Sequence, residues 1–315
     1  MIFQDGGRLL VGRLRPLGLV LSVCALASCG GNSSPLSPTG SNSGGNSSGG
    51  GGGVPVLVGA GDIGLCGGKS STTSGAEATA ALLDRLPGTV FTAGDNAYMS
   101  GSMDEFQNCY EPTWGRHRAR TRPTLGNHEY TSGPSAYFAY FGSAAGSGDG
   151  YYSYSVGSWR IIALNSEIPS QAGTAQMEWL KNELATRKST CTAVIWHRPL
   201  FSSGRNGDNP DMRDVWRALY DANVDVVING HDHTYERFAP QDPDGRPDPA
   251  RGIRQFVVGT GGAMLYEFTH VRANSEARGA SWGVAMFTLN DGGYQWQFIP
   301  VDGAAFTDAG SGTCH

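Results

Sequence analysis

Short apolar runs that stop abruptly and hand over to polar, ligand-type side chains recur along this chain. Residues 224–237 show the pattern most fully, reading V-D-V-V-I-N-G-H-D-H-T-Y-E-R. Val226-Val227-Ile228 is β-branched and uninterrupted, the composition of a strand covered on both faces. Gly230 permits a tight exit, so His231 and His233 fall at the C-terminal end of a buried strand, where open α/β sheets place their chemistry. Taken alone, the stretch fits a polar turn with two surface histidines as well as it fits a metal site. The upstream runs separate the two readings.

Val56-Leu57-Val58 ends at Gly59-Ala60-Gly61 and presents Asp62. Residues 76–86 place Ala78, Leu82, Leu83 and Leu86 at helical spacing, and Pro87-Gly88 stops that helix. Residues 89–92 form a second strand before Gly94-Asp95-Asn96-Ala97-Tyr98, which completes a βαβ unit whose strands both end in Gly-Asp. An irregular helical segment, 102–120, leads into Pro123-Thr124-Leu125 and the loop Gly126-Asn127-His128-Glu129. Residues 151–156 and 159–164 alternate around Gly157-Ser158 as an antiparallel hairpin. A helix over 175–187 carries Met177, Leu180 and Leu184 on one face, and a strand over 192–196 delivers His197. Asn209-Pro210 caps a helix marked by Met212, Val215, Trp216, Leu219 and Tyr220. Beyond His233 the pattern changes to strands alone, at 254–258, 283–289 and 294–301. These predict a second sheet packed on the first with helices outside, and 242–251 reads as a long surface loop.

Collected in order, the strand-end residues are Asp62, Asp95, Tyr98, Asn127, His128, His197, His231 and His233. They offer oxygen and nitrogen without sulfur. Carboxylate and phenolate suit an Fe(III)-like ion, while imidazole and amide oxygen suit Zn, Mn or Fe(II). One bridging carboxylate would hold two ions close enough for two-metal hydrolysis.

The five segments, Asp62-Ile63-Gly64, Gly94 to Tyr98, Gly126 to Glu129, Val194-Ile195-Trp196-His197 and Gly230-His231-Asp232-His233, resemble the ordered motifs of the calcineurin-like metallophosphoesterases. Tyr98 and the extension Thr234-Tyr235-Glu236-Arg237 resemble the purple acid phosphatase branch. The resemblance implies an α/β fold, a four-layer αββα sandwich of two packed mixed β-sheets flanked by helices. It implies Asp62, Tyr98 and His233 on one metal, Asn127, His197 and His231 on a second, and Asp95 between them. The pair would be Fe(III) with a divalent Zn, Fe or Mn, supplying a hydroxide that attacks a phosphate monoester while His128 protonates the leaving oxygen. A phosphodiesterase on the same core is the alternative enzyme, and a phosphate-binding surface module without turnover is the alternative outside enzymes. Tyr235 and Arg237 match positions near the family's site and are candidate substrate contacts. The sequence departs from the large plant enzymes in having a tether where they carry an amino-terminal β domain. It also has Arg198-Pro199-Leu200 after His197, and no second histidine pair in 201–209. That leaves Arg198 and Arg205 as candidate phosphate contacts.

The start of the chain addresses compartment. Arg8, Arg13 and Arg15 precede an apolar segment, 17–27, too short to span a bilayer. Leu26-Ala27-Ser28-Cys29 resembles a bacterial lipoprotein cleavage box, so residues 1–28 read as a lipoprotein-type signal and Cys29 as a lipid anchor. Residues 29–53, nearly all Gly, Ser, Asn and Pro, read as a flexible tether. Residues 54–302 form the metallophosphoesterase domain and 303–315 a tail. The expected location is the bacterial cell envelope, periplasmic or surface-facing. Residues 1–28 hold three Arg and one Asp, so the remaining 20 basic and 27 acidic side chains give a formal charge of -7, against nucleic-acid binding. Cys66, Cys109, Cys191 and Cys314 form an even set that favours disulfides in an exported chain. Three pairings are open; the expectation is Cys66 with Cys109, leaving Cys191 to pin the tail through Cys314.

Overall fold

The computed structural model describes residues 53–66, 75–186 and 189–315. The signal segment, the Cys29 anchor, residues 30–52 of the tether and Arg187 lie outside them. From the first described strand the order is β1 (Val56–Ala60), β2 (Gly64–Leu65), α1 (Gly75–Arg85), β3 (Thr89–Thr92) and β4 (Ala97–Tyr98). The irregular segment resolves into α2 (Met103–Glu105), a π turn (Phe106–Tyr110) and a 3-10 helix (Trp114–Arg120). Then follow β5 (Thr121–Arg122), α3 (Asn127–Thr131), α4 (Ser135–Phe141), β6 (Tyr152–Val156), β7 (Trp159–Ala163), α5 (Ala175–Thr186) and β8 (Thr192–Ile195). The remainder is α6 (Arg213–Asp221), β9 (Val226–Asn229), β10 (Tyr235–Phe238), β11 (Arg254–Val258), β12 (Ser275–Gly279), β13 (Gly283–Asn290), β14 (Gly293–Pro300) and β15 (Asp308–Thr313).

Two mixed sheets result. One runs β15-β14-β13-β1-β3-β5 and the other β12-β10-β11-β9-β8-β7-β6. Period-two alternation along the strands builds the layers. On β9, Val226 and Ile228 enter the large core shared with β1, β3, β13 and β14, whereas Val227 joins Met177, Leu180, Val215, Trp216 and Leu219 of α5 and α6. Ala193 and Ile195 of β8 divide from Val194 in the same way, as do Phe256 and Val258 of β11 from Val257. One face of this sheet therefore meets the partner sheet and the other meets helices.

The partition of strands differs from the sequence reading. The late strands do not form a sheet of their own. β13 pairs antiparallel with β1, Val56 opposite Thr288, and β11 pairs parallel with β9, Arg254 opposite Val226. β1 is buried along its length and already pairs with β3 on one side. Its other edge needs a partner, and apolar periodicity does not say which strand supplies it.

Both expected disulfides are present, Cys66–Cys109 and Cys191–Cys314. The second joins the start of β8 in one sheet to the end of β15 in the other, so the segment read as a tail is an edge strand.

Candidate metal centre

The parallel strands β1, β3, β8 and β9 all point their C-terminal ends at one place. Three residues there, Asp62, Asp95 and His231, hold positive φ angles of 61°, 50° and 70°; Asn223 is the one other non-glycine in that region among the described residues. Left-handed backbone at a non-glycine costs on the order of 1 kcal/mol or more, and it turns each side chain back across the strand ends. The flanking glycines are set by proximity. A Cβ at Gly126 would lie 2.2 Å from Asp95 Oδ1, and one at Gly230 would lie 2.6 Å from Asp62 Oδ2.

The donors gather as two trios. Tyr98 Oη lies 2.7 Å from Asp62 Oδ1 and 3.1 Å from His233 Nε2, and His233 Nε2 lies 3.2 Å from Asp62 Oδ1. His197 Nε2 lies 3.1 Å from Asn127 Oδ1 and 3.2 Å from His231 Nδ1. Asp95 stands between them, its Oδ2 3.0 Å from Tyr98 Oη and 3.1 Å from His197 Nε2. The backbone N–H of His231 also donates to Asp62 Oδ2 at 2.8 Å, which ties the end of β9 to the end of β1 across the two sheets.

Main-chain carbonyls orient three of the four imidazoles. The Nδ1 of His197 meets Ala93 O at 2.8 Å, that of His233 meets Met264 O at 2.6 Å, and that of His128 meets Met99 O at 2.6 Å. A carbonyl can only accept, so Nδ1 carries the proton and each Nε2 is turned away from the carbonyl. For His197 and His233 that atom meets the donor cluster; for His128 it lies 3.6 Å from Asp95 Oδ2.

Burial opposes charge on Asp62 and Asp95, but His233 and His197 outweigh it for Asp62, and His197 and His128 for Asp95, so both carboxyls sit below the usual range. Burial also opposes charging His197, yet Asp95 and Asp62 hold its imidazolium up to about 10. His231 is pushed down to about 3 by burial, with the charges of His197 and Arg198 adding, so it stays neutral with a lone pair to give. Burial and the two carboxylates push the Tyr98 phenol well above its ordinary value. The protons on neighbouring donors that compensate the two buried carboxylates are what a cation would replace. The O and N donor set, without sulfur, suits hard and borderline metals.

The remaining candidates divide. The Arg198 guanidinium pairs with both Glu167 oxygens at 2.9 and 3.0 Å while its Nη1 reaches His231 Nε2 at 3.2 Å. Arg205 lies 5.4 Å over the ring of Tyr266. Tyr235 and Arg237 are not drawn into the cluster. Both donate to Asp308 on β15, Arg237 also pairs with Glu276, and Tyr235 packs on Phe298 and Phe306.

Two residues at the site had no role in the sequence reading. Glu129, buried, accepts the backbone N–H groups of Asp95, Asn96, Ala97 and Gly126; its place three positions after Gly126 is the available signal. Tyr266 stacks on His233 with ring centroids 4.0 Å apart and planes 9° from parallel, and its N–H donates to His233 O. No local signal marks Tyr266, because a loop after β11 brings it in.

The chain belongs to the calcineurin-like phosphoesterase family, whose model matches residues 56–235. Within it, the similarity is to purple acid phosphatases. The chain is 32% identical over 183 residues to purple acid phosphatase 21 of Arabidopsis thaliana, covering 50% of this chain and 41% of that protein. It is 30% identical over 223 residues to purple acid phosphatase 18 of the same plant, covering 64% and 48%. The chain thus spans about half the length of these relatives, or less. The solved structure of a purple acid phosphatase from yellow lupin seeds superposes with a TM-score of 0.73 at 22% identity, covering 82% of this chain and 53% of that one. That likeness establishes the fold: two mixed sheets in a metallophosphatase sandwich.

Proposed function

We propose that this chain is an exported, dinuclear-metal phosphatase acting on phosphate monoesters. The observation that carries the reading is the placing of Asp95 between two donor trios, with Oδ2 3.0 Å from Tyr98 and 3.1 Å from His197. Asp62, Tyr98 and His233 would hold one ion, Asn127, His197 and His231 the other, and Asp95 would touch both. The harder set, with carboxylate and phenol, suits Fe(III), and the imidazole-rich set suits divalent Zn, Fe or Mn. Ions bound there would polarise the ester and activate water.

The chain's own residues do the rest. The Met99 carbonyl fixes the His128 ring with Nε2 available for a proton, so protonated His128 can donate to the departing alkoxide. The Ala93 and Met264 carbonyls keep Nε2 of His197 and His233 turned to the cluster. Arg198, oriented by Glu167, presents a cation beside His231 where an ester oxygen would approach. Two disulfides support export to an oxidising compartment, and the sequence reading supplies Cys29 as the membrane anchor.

Metal analysis combined with an assay on an aryl phosphate and its bis-aryl diester tests the proposal. Two ions per chain with faster monoester release are expected, and Asp95→Asn should lose at least one ion. Full metal loading with no phosphate release from either ester would sink it; faster diester cleavage would move it to the phosphodiesterase reading.

A further inference from the structure

Among the described residues, four large apolar side chains are exposed: Val54, Met99, Met264 and Val271. Two of the four flank the metal centre. Met99 and Met264, 61% and 64% exposed, are the residues whose carbonyls hold His128 and His233. A carbonyl 2.6 Å from an imidazole nitrogen puts the residue's own Cα within about 5 Å of that ring. Val271 ends the loop that Met264 begins, and Leu265 and Phe268 between them are only partly covered. This loop is docked rather than loose. Thr269 N–H and Oγ1 bond to the carbonyls of Ser203 and Gly204, and Arg272 N–H bonds to Ser203 Oγ.

Three polar groups beside it are already engaged. Asn206 Nδ2 donates to His231 O at 2.6 Å, the Arg205 guanidinium lies 5.4 Å over the Tyr266 ring, and Arg272 is paired with Asp208. A leaving group rich in hydroxyls would find few partners there. An apolar one would cover surface that the fold leaves in water, and methionine adapts to varied shapes.

We propose that Met99, Met264, Leu265 and Phe268 form an apolar lip that takes the leaving alcohol, so that the site favours phosphate esters of aryl or alkyl alcohols over those of sugars or glycerol. The position of Met99 beside His128 matches this, because the leaving oxygen departs towards that histidine. The inference rests on the phosphatase reading for the fate of the ester, but the binding it asserts is measurable without turnover.

The test is calorimetric binding of non-hydrolysable phosphonates to the metal-loaded protein. 1-Naphthylmethylphosphonate or octylphosphonate should bind at least about tenfold more tightly than 2-hydroxyethylphosphonate, a ratio of the size apolar contacts supply. A Met99→Ser, Met264→Ser double variant should bring that ratio to within about twofold, while Val54→Ser, equally exposed and away from the lip, should leave it in place. Both methionines are exposed, so folding is not at stake. Equal affinities for all three compounds, including none measurable, or a ratio the double variant does not move, would overturn the proposal. So would phosphatidylcholine vesicle binding lost in the double variant without any preference among the phosphonates, which would make the lip a membrane contact. Absence of turnover on esters with the phosphonate ratio intact would instead overturn the phosphatase reading alone.

Discussion

Glu129 Oε2 accepts the backbone N–H of Asp95 at 3.1 Å, although Glu129 offers no atom to the donor cluster. The same carboxyl group takes the N–H groups of Asn96 at 2.7 Å and Gly126 at 2.8 Å, so one buried side chain ties the exit of β3 to the loop after β5. Burial, with the Asp95 charge adding, pushes its pKa up to about 8.

Removing that side chain would strand several buried N–H groups. Glu129→Ala should cost roughly 2–4 kcal/mol in urea unfolding and weaken metal binding by about 10–100-fold. A variant as stable as wild type with unchanged metal affinity would show that Glu129 does not organise these loops.

His128→Ala should lower kcat by about 10²–10⁴-fold with KM little changed. The loss should be smaller on a nitrophenyl phosphate, whose leaving group needs no proton, than on an alkyl phosphate. Equal losses on both would count against a proton-donating role.

Asp225 gives a pH signature away from the metal centre. Burial pushes its pKa up to about 6 against the pull of the Thr192 and His315 backbone N–H groups. Raised above the ordinary carboxylate value, it binds more protons in the folded state, so its contribution to stability falls as pH rises from about 4 to 6. The change is bounded by about 3 kcal/mol. Asp225→Asn should flatten the denaturation midpoint across that window relative to wild type; parallel pH profiles for the two proteins would refute it.

Cys191–Cys314 closes a separation of 123 residues and Cys66–Cys109 one of 43. Chain entropy then gives about 3–5 kcal/mol for the longer loop and roughly 1 kcal/mol less for the shorter. Cys314→Ser should therefore destabilise more than Cys109→Ser in urea unfolding. The reverse order would mean that native-state packing around each bridge outweighs loop closure.

The sequence by itself determined which donor side chains the strand ends offer. Gly-Asp after two apolar runs, Asn127-His128, His197 and the His231–His233 pair are local patterns, and the donors they name converge in space. The βαβ opening, the Gly157 hairpin and the α5 and α6 faces were legible for the same reason, because periods of two and of 3.6 are written in neighbouring residues. Tertiary structure decided the rest. That β13 pairs with β1 and β11 with β9, that β15 edges a sheet, that Asp308 engages Tyr235 and Arg237, and that Tyr266 lies on His233 all depend on residues far apart in the chain. Local spacing names the groups a strand end will offer. Which edge that strand covers, and so which side chain arrives beside those groups, is settled only when distant apolar faces must be buried together.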